Sequence, residues 1–505
     1  MVHRFVPAWF VALMIALAFA FGPYVQLAIG QGAVSAIVPH RFIVGFKGGA
    51  APEQMNGLTV SGRIVGRQER LGLAVIESVS ATAAADLATL PGVDLVVADR
   101  MVMGSSVKAA AVPAGDAIYN SPQGWAVKQV GGFGSAAGGP WSVTKGAGVR
   151  IAILDSGVDA GHPDIAPNLA LSLSEIDQDP TAGLPSPCDD GSAQDQEGHG
   201  TWAASLAAGA LGVQTGEMAG VAPEATLLNI KVLERMPAAP GDASTCAEGE
   251  ASGLLSWVIQ GINDAVANHA DIISMSLGTL VDVTTGDGAG VKTLMGRATH
   301  AAANAGAVLV ASAGNDGFSL DNLRYVELPA QSRDVLAIVA ATNPDCAENL
   351  AAGARCKPGM ETLPYYSNFG AALNALAAPG GSYPAGPDND LSAASGWIRG
   401  ACSEGKPSTV DGAPVDAAHS FGCFGLGHAA YVQAMGTSAS APLAAGAAAL
   451  VKAAHPGWTP AQIVQTMRQN ALRAPGLPVG LVDVNAIVAG VGLHNEHVLR
   501  TASFN

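Results

Sequence analysis

Charged side chains are scarce in this sequence, making up 13% of its 505 residues, and aromatic residues only 5%. The 25 basic residues are outnumbered by 41 acidic ones, which gives a formal net charge of −16. A nucleic-acid-binding protein needs a basic face, so nucleic acid is excluded as an expected partner. Hydrophobic residues account for 49% of the chain and there are 63 glycines. These values predict a compact body with a large core, neither a disordered chain nor a solvated helical rod.

Long apolar segments are also few. One runs over residues 5–21 after two basic side chains, and small residues at 34–36 offer a cleavage site. This pattern predicts an export signal over residues 1–36 and a secreted or extracytoplasmic protein. The alternative is an uncleaved membrane anchor, because the apolar run continues to residue 29 and is nearly long enough to span a bilayer.

Cysteine is rare, with six residues and no C-x-x-C spacing, so a cysteine-bound metal is not expected. An even number of cysteines is consistent with an oxidising compartment, although sequence alone allows many pairings. Six unpaired thiols are the alternative. Proximity along the chain favours three disulfides: Cys346–Cys356, Cys402–Cys423 and, as the remaining pair, Cys188–Cys246.

Residues 37–110 have the pattern of a small α+β unit. Its apolar runs predict strands, and a helix is predicted to end at a Pro-Gly pair. Residues 104–117, rich in Ala, Gly, Ser and Val, are predicted to form an exposed linker in which the chain can be cut. The predicted strands are 41–47, 71–79 and 93–97, and the predicted helix is 81–90.

Residues 111–505 alternate apolar runs of strand length with helical patterns such as 254–266. This alternation predicts an α/β fold in three layers, with a parallel sheet covered by helices on both faces. The predicted strands are 149–154, 226–233, 272–275, 308–311 and 335–340.

Segments that contain the cysteines are rich in Gly, Pro, Asp or Ser and are predicted to be surface insertions that the disulfides pin. The ligand cleft of such a fold lies beyond the carboxyl ends of the strands. Asp155, Ser276 and Asn315 each follow a predicted strand directly, so we expect them at one edge of the sheet. The predicted insertions are 176–197, 234–252, 344–364 and 381–430.

Three short segments supply an acid, a base and a nucleophile in that order. Residues 151–157 read Ile-Ala-Ile-Leu-Asp-Ser-Gly, residues 198–201 read Gly-His-Gly-Thr, and residues 436–442 read Gly-Thr-Ser-Ala-Ser-Ala-Pro. Together these segments resemble those of the subtilisin-like serine peptidases, or subtilases, whose chain order of Asp, His and Ser distinguishes them from other serine hydrolases.

The resemblance implies a catalytic triad of Asp155, His199 and Ser438. Peptide hydrolysis needs a histidine that takes the serine proton and a carboxylate that holds the histidine in the right tautomer. The family usually has a second histidine after Gly-His-Gly-Thr, whereas this chain has Trp202, so packing behind the base is expected to differ. The local alternatives for the acid and the nucleophile are Asp159, Asp164 and Ser440.

Asn315, in an Ala-Gly-Asn-Asp-Gly run, matches the subtilase asparagine that donates a hydrogen bond to the oxyanion. The alternative is a turn asparagine. Residues 276–278 resemble the segment that pairs with the substrate backbone as an added strand, and the alternative is a plain turn. Together with residues 313–314, this segment would form the walls of the pocket for the residue before the cut. The residues of these walls are Ser276, Leu277, Gly278, Ala313 and Gly314.

Glu327 precedes Leu-Pro-Ala, which resembles the Tyr-Pro-Ala turn of the family. The resemblance places Glu327 near the base of the pocket for the residue before the cut. A carboxylate there would favour lysine or arginine in the substrate. The alternative is a solvated loop glutamate.

The resemblance implies no cofactor for catalysis. Structural calcium is common in the family, and Asp164 matches one ligand position, but residues 211–222 lack the usual asparagine-rich loop. No metal site is therefore assigned. Residues 37–110 resemble an inhibitor-type propeptide, and the alternative is an N-terminal substructure that stays attached.

The predicted function is that of a secreted serine endopeptidase made as a self-processing proenzyme. Its partners would be protein or peptide substrates and its own propeptide. Residues 1–36 would be the signal, 37–110 the propeptide and 111–505 the catalytic domain. The alternatives are a catalytically silent binding module and a maturation protease with few substrates.

Overall fold

A computed structural model shows the fold. The expected signal, apart from its last two residues, and the expected Cys346–Cys356 pair lie outside the described residues. Within the described part, no helix has the length and apolar character needed to cross a membrane. The structure describes residues 35–49, 52–80, 82–104, 108–111, 118–134, 138–179, 182–211, 218–343, 360–382, 396–404, 422–427 and 429–490.

A seven-stranded sheet forms the centre of the body, and every neighbouring pair of its strands is parallel. Its five inner strands lie where the sequence predicts them, and its two edge strands were not predicted. In sheet order the strands are Ala375–Pro379 (β16), Val335–Ala341 (β15), Val308–Ser312 (β13), Ile272–Met275 (β11), Arg150–Asp155 (β6), Thr226–Lys231 (β8) and Leu169–Ser174 (β7).

Helices cover both faces of this sheet, which confirms the predicted three-layer α/β fold. Alternate residues of β6 point to opposite faces, so Ile151 and Ile153 belong to one core while Ala152 and Leu154 belong to the other. The first core includes residues of Trp125–Val130 (α3), His199–Ala208 (α4), Thr437–Ala454 (α7), Pro460–Asn470 (α8) and Asn485–Ala489 (α9). The second core includes residues of Leu255–Ala267 (α5) and Gly286–Asn304 (α6).

The N-terminal unit has a β-α-β-β-α-β order and a core of its own, which contains Phe46, Met55 and Leu87. Its four strands are antiparallel in the spatial order β4-β1-β3-β2. The elements are Ile37–Phe46 (β1), Pro52–Gly57 (α1), Arg63–Gln68 (β2), Leu73–Glu77 (β3), Ala83–Ala88 (α2) and Val93–Gly104 (β4). Short 3-10 helices occupy Leu58–Val60, Glu69–Leu71, Pro122–Gly124, Pro140–Ser142 and Ala243–Glu248.

Strand β4 is longer than predicted and continues from the N-terminal unit into the body. There it lies between two antiparallel partners, because Met103 pairs with Ser252 on one side and with Gly278 on the other. The strands that extend this sheet within the body are Glu234–Arg235 (β9), Ala251–Leu254 (β10), Leu277–Asp282 (β12) and Tyr325–Leu328 (β14).

The prediction of an exposed linker is wrong for residues 108–111. Lys108–Ala111 (β5) pairs antiparallel with Tyr431–Met435 (β18), which also pairs with Ile398–Ala401 (β17). The sequence hides this strand because alanines provide no apolar alternation, while backbone pairing does not depend on large side chains.

The predicted insertions are not wholly on the surface. Lys231 is fully buried and donates to both carboxylate oxygens of Asp189 at 2.8 Å. Arg235 is also buried and donates to the backbone oxygens of Gln196 and Cys246. Two of the predicted disulfides are confirmed, Cys188–Cys246 and Cys402–Cys423.

Candidate active site

The three residues of the predicted triad meet at the carboxyl edge of the parallel sheet. Asp155 is the last residue of β6, His199 is the first residue of α4, and Ser438 is the second residue of α7. Each side chain is at most 1% exposed. The strand end and the two helix starts therefore bring together residues that are far apart in sequence.

The acid and the base are in direct contact. His199 Nδ1 lies 2.6 Å from Oδ1 of Asp155, and the same oxygen accepts the backbone N–H of Ser156 at 2.7 Å. A Cβ atom on Gly200 would lie 2.0 Å from the carbonyl oxygen of Gly157 and 3.1 Å from Cβ of Asp155. Glycine at position 200 is therefore what allows the helix that begins at His199 to approach the strand end.

The electrostatic surroundings of the base favour its protonated form. Burial lowers the pKa of His199, but attraction by Asp155, their hydrogen bond, and the nearby carboxylates of Glu197 and Asp195 outweigh this effect and raise the pKa to about 9. Burial also raises the pKa of Glu197 to about 7, against the opposing effect of His199. The backbone N–H of His199 donates to Oε2 of Glu197 at 2.9 Å.

The nucleophile candidate does not hydrogen-bond to the base in this structure. Ser438 Oγ donates to the carbonyl oxygen of Ser276 at 3.3 Å, while Ser276 Oγ donates to the carbonyl oxygen of Ser438 at 3.0 Å. His199 Nε2 is buried and has no hydrogen-bond partner among the described residues. Catalytic hydrogen bonds often form only once substrate is bound. Rotation about χ1 of Ser438 is the motion that would turn Oγ from the Ser276 carbonyl toward Nε2 of His199.

The helix that holds the nucleophile consists mainly of small residues and crosses the centre of the first core. A Cβ atom on Gly446 would lie 2.6 Å from the carbonyl oxygen of Ala207, so α7 and α4 pack with their backbones close together. This packing holds the helix starts that contain Ser438 and His199 in a fixed relation.

Asn315 lies beside the nucleophile, as its motif predicts. Its Oδ1 accepts the backbone N–H and the hydroxyl of Thr437, both at 2.9 Å. The Thr437 hydroxyl in turn accepts the backbone N–H of Gly314 at 3.2 Å. These bonds fix the carbonyl end of the Asn315 amide, and Nδ2 is the donor atom of that amide.

The first of the two predicted wall segments pairs with β4. Leu277 and Gly278 pair with Gly104 and Met103, and Ser276, which precedes them, donates its hydroxyl to the carbonyl oxygen of Ser438. The second wall is held by its backbone, since Ala313 N–H bonds to the carbonyl of Ile338 and Asn368 N–H bonds to that of Gly314.

Glu327 is not a solvated loop residue. It belongs to β14, its side chain is 4% exposed, and burial raises its pKa well above its usual range. A Cβ atom added to Gly278 would lie 2.0 Å from Oε1 of Glu327, which places this carboxyl against the wall of the cleft.

The local alternatives for the triad do not reach the base. Asp159 accepts the backbone N–H of Gly161, and Asp164 accepts the hydroxyl of Tyr431 at 2.8 Å. Ser440 donates to the carbonyl oxygen of Pro379 at 3.2 Å.

A carboxylate that the sequence did not reveal organises the loop before the base. Asp195 is fully buried and accepts the hydroxyl of Ser156 and the backbone N–H groups of Glu197 and Gly198. It also accepts the backbone N–H of Thr201, in the first turn of α4. The available signal was an acidic residue a few positions before a helix start, a position typical of capping carboxylates.

Aromatic rings cover the base. The rings of Trp202 and Phe424 each contact the His199 ring edge to face, with centroids 6.1 Å away. Phe424 follows Cys423 of the Cys402–Cys423 disulfide, and a Cβ atom on Gly198 would lie 2.8 Å from Sγ of Cys402. The departure at Trp202 therefore fits a disulfide-bonded loop that packs directly on the base.

No group of three or more His, Cys, Asp or Glu residues in the described ranges has the arrangement of a metal site. The carboxylate of Asp164 is used by Tyr431. Residues 212–217, within the loop that the sequence comparison considered for calcium, lie outside the described residues.

A carboxylate, an imidazole and a serine lie at the carboxyl edge of the parallel sheet, in a fold with helices on both faces of that sheet. They define a site of the Ser-His-Asp class. The family model described as "Subtilase family" matches residues 146–495, which is more than half of the chain. The protein therefore belongs to the subtilase family.

Curated relatives include Subtilisin NAT of Bacillus subtilis subsp. natto, which is 29% identical over 326 residues, covering 65% of this chain and 61% of the relative. The Major intracellular serine protease of Bacillus subtilis (strain 168) is 31% identical over 228 residues, covering 45% and 57%. The matched region thus spans about three fifths of the length of these relatives.

Among solved structures, the Epidermin Leader Peptide Processing Serine Protease (EpiP) of Staphylococcus aureus aligns with a TM-score of 0.62 at 18% identity. The alignment covers 90% of this chain and 98% of that chain. Fervidolysin of Fervidobacterium pennivorans aligns with a TM-score of 0.59 at 19% identity, covering 92% and 62%. At these identities, the two alignments show a shared fold.

Proposed function

We propose that the protein is a secreted serine endopeptidase that is made as a proenzyme and cuts its own chain. The observation that carries this proposal is the placement of the two strands that flank residues 105–107. Strand β4 ends at Gly104 beside Leu277, and β5 begins at Lys108 beside Met435. The peptide on both sides of the interval between them is thus held by backbone pairing next to the nucleophile.

The proposed chemistry uses the triad in its usual roles. Ser438 Oγ turns from the Ser276 carbonyl toward Nε2 of His199, gives up its proton there and attacks the peptide carbonyl carbon. Asp155 holds the ring through Nδ1 and stabilises the imidazolium that forms. His199 then gives the proton to the leaving amine, and a water molecule, deprotonated by the same ring, releases the acyl group from the serine.

Negative charge develops on the carbonyl oxygen during the attack. We assign Nδ2 of Asn315 and the backbone N–H of Ser438 as its donors, because Thr437 fixes the other end of the asparagine amide. Donors that are already oriented stabilise the oxyanion without further reorganisation.

Substrates would bind as an added strand between β10 and β12, the place that β4 occupies in this structure. Main-chain hydrogen bonds then provide much of the affinity, so protein and peptide segments of varied sequence can be bound. On one side, Ser276, Leu277 and Gly278 would form these contacts, while Ala313 and Gly314 would form the opposite wall of the pocket for the residue before the cut.

The N-terminal unit would act as an intramolecular inhibitor until it leaves. Its β4 fills the substrate position, and the cut is expected between Gly104 and Lys108, close to the predicted boundary at residue 110. One structural relative is named for processing a leader peptide, which is compatible with action on extended segments.

Export is supported by the apolar N-terminal segment and by the two disulfides of the described body. Retention of residues 1–36 would instead tether the enzyme to a membrane. The N-terminus of the mature protein, read by mass spectrometry, separates these outcomes.

Labelling with a fluorophosphonate tests the proposed activity. We expect covalent modification of Ser438 in the processed protein, and we expect Ser438→Ala to abolish both labelling and the cut between Gly104 and Lys108. Processed protein that is not labelled and cleaves no peptide would contradict the proposal and favour a catalytically silent binding module. Ser440→Ala is the matched control, since that hydroxyl bonds to Pro379 and should leave labelling intact.

A further inference from the structure

We propose that Glu327 selects substrates with lysine or arginine immediately before the cut bond. This inference rests on the proposed peptidase function and specifies its substrate class. It depends on three observations: the position of the carboxyl, the absence of a cationic partner for it, and the register of the peptide in the cleft.

The carboxyl of Glu327 lies at the meeting point of the two wall segments. Glu327 pairs with Leu280 across β14 and β12, and Gly278 lies two residues along on the same face. A Cβ atom on Gly278 would collide with Oε1 of Glu327, and a Cβ atom on Gly314 would lie 3.4 Å from its Cδ. Glycine at position 278 therefore leaves room for this side chain, which lies within contact distance of the second wall at Gly314.

The register of β4 shows which substrate residue comes close. Met103 lies opposite Gly278 and Gly104 opposite Leu277, so the next residue of a bound strand falls opposite Ser276. Ser276 contacts Ser438 through both of its oxygens. The substrate residue at this position thus precedes the bond to be cut, and its side chain meets the wall against which Glu327 lies.

No positive charge in the described part of the chain offsets this carboxyl. Glu327 takes part in none of the ion pairs formed there, and its backbone N–H is the group that bonds to Gln331. Its nearest charged influence is Asp316, which raises the pKa of Glu327 further after burial has done so. Both effects favour the neutral carboxyl in the free site. A lysine or arginine side chain that enters beside Glu327 would favour the ionised form and pair with it.

The protein's own segment does not provide that cation. Residues 101–107 read Met-Val-Met-Gly-Ser-Ser-Val. Cleavage within one chain tolerates a poor match because the effective concentration is high. The N-terminal unit therefore provides no cationic partner for Glu327. A substrate with lysine or arginine before the cut gains a contact that this inhibitor lacks.

Peptides that differ only in the residue before the cut test the proposal. For the processed wild-type enzyme, we expect kcat/KM to be on the order of 10²-fold higher with lysine or arginine than with methionine or glutamine, as for a desolvated charge pair. Glu327→Gln keeps the shape of the side chain and should remove most of this ratio, while kcat/KM for the methionine peptide stays the same or rises. Glu327→Asp keeps the charge and should retain part of the ratio.

Glu361→Gln is the matched control. Glu361 is also a buried glutamate, 2% exposed, but its neighbour Thr362 pairs with Thr342, away from the wall segments. For Glu361→Gln, the ratio of kcat/KM for the lysine peptide to kcat/KM for the methionine peptide should equal that of the wild type.

A wild-type enzyme that is labelled by fluorophosphonate and cleaves peptides, yet shows no preference for lysine or arginine, overturns this inference and leaves the proposed peptidase function standing. An unchanged ratio in Glu327→Gln overturns it as well. Absence of both labelling and turnover overturns the peptidase function, and the inference with it.

Discussion

His199 and Asp155 share a hydrogen bond of 2.6 Å while both side chains are almost completely buried. The effects of Asp155, Glu197 and Asp195 outweigh that of burial and raise the pKa of His199 to about 9. Only the neutral ring can take the serine proton, so kcat/KM should rise with pH through about 9 and be low where the ring is protonated. A pH profile of the processed enzyme checks this, and a rise centred near the ordinary value of about 6.5 would contradict it.

Glu197→Gln provides the matched variant for that profile. The charge of Glu197 raises the pKa of His199, so its removal should shift the rising limb to lower pH. The raised pKa of His199 also makes the free energy of unfolding depend on pH. The raised pKa contributes stability below about pH 6.5, and this contribution is lost as the pH rises through about 9.

Asn315→Ala should lower kcat by roughly 10² to 10³-fold and change KM little, because the lost donor acts mainly on the transition state. This range is the one known for the oxyanion donor of subtilisin. Steady-state kinetics on one peptide checks it. A rise in KM with unchanged kcat would show that Asn315 binds the ground state instead.

Gly200→Ala should lower kcat/KM by about 10²-fold through displacement of the base, since the added Cβ would collide with the carbonyl of Gly157 beside Asp155. Gly296→Ala is the control within helix α6, where a Cβ meets no atom within 4 Å. That change should raise the free energy of unfolding by about 0.5–1 kcal/mol without affecting turnover. Equal effects of the two variants on kcat/KM would contradict the prediction.

The two disulfides should differ in function. Replacement of Cys402 and Cys423 by serine should lower kcat/KM as well as Tm, because this bridge packs against Gly198 next to the base. The corresponding change at Cys188 and Cys246 should lower Tm and leave kcat/KM near that of the wild type. The expected loss of stability is about 2–4 kcal/mol for each bridge. Full activity after loss of the first bridge would show that it does not position the base.

Arg41 joins the N-terminal unit to the body. It donates to Asp99 within the unit and to Asp177 of the body, and its side chain is 4% exposed. Arg41→Met should speed release of the unit after the cut, because a broken buried pair costs about 3–5 kcal/mol. The lag between chain cleavage on a gel and the onset of peptide hydrolysis should shorten.

Arg63→Met is the control for that lag. Arg63 also bridges to the body, through Asp179, but its side chain is 57% exposed and such pairs contribute little. A lag unchanged by Arg41→Met, or equally shortened by both variants, would contradict the prediction.

The five inner strands of the parallel sheet could be predicted from the sequence, whereas its two edge strands could not. The five inner strands of the parallel sheet are buried on both faces and appear as continuous apolar runs. The two edge strands are less distinct, since Leu169–Ser174 alternates with serine and Ala375–Pro379 is mostly alanine, a residue that is not typical of strands.

The site shows the same division. Asp155, His199, Ser438 and Asn315 could be proposed from the sequence because each belongs to a short motif typical of the family. Asp195 and Phe424 were missed, because their roles come from contacts between loops that sequence spacing does not encode. The burial of Glu327 was likewise decided by the pairing of β14 with β12 and not by its own neighbours.

Strand β4 pairs with two strands of the body, and in the proposed proenzyme its removal would open a gap between them. While it is attached, β4 pairs with Ser252–Leu254 of β10 and with Leu277 and Gly278 of β12. If β4 leaves after the proposed cut, these residues would become open edges that can pair with an extended polypeptide, including a partly unfolded copy of the same protein. The processed protein should therefore be most vulnerable to mutual digestion when it is concentrated and no other chain competes for the gap.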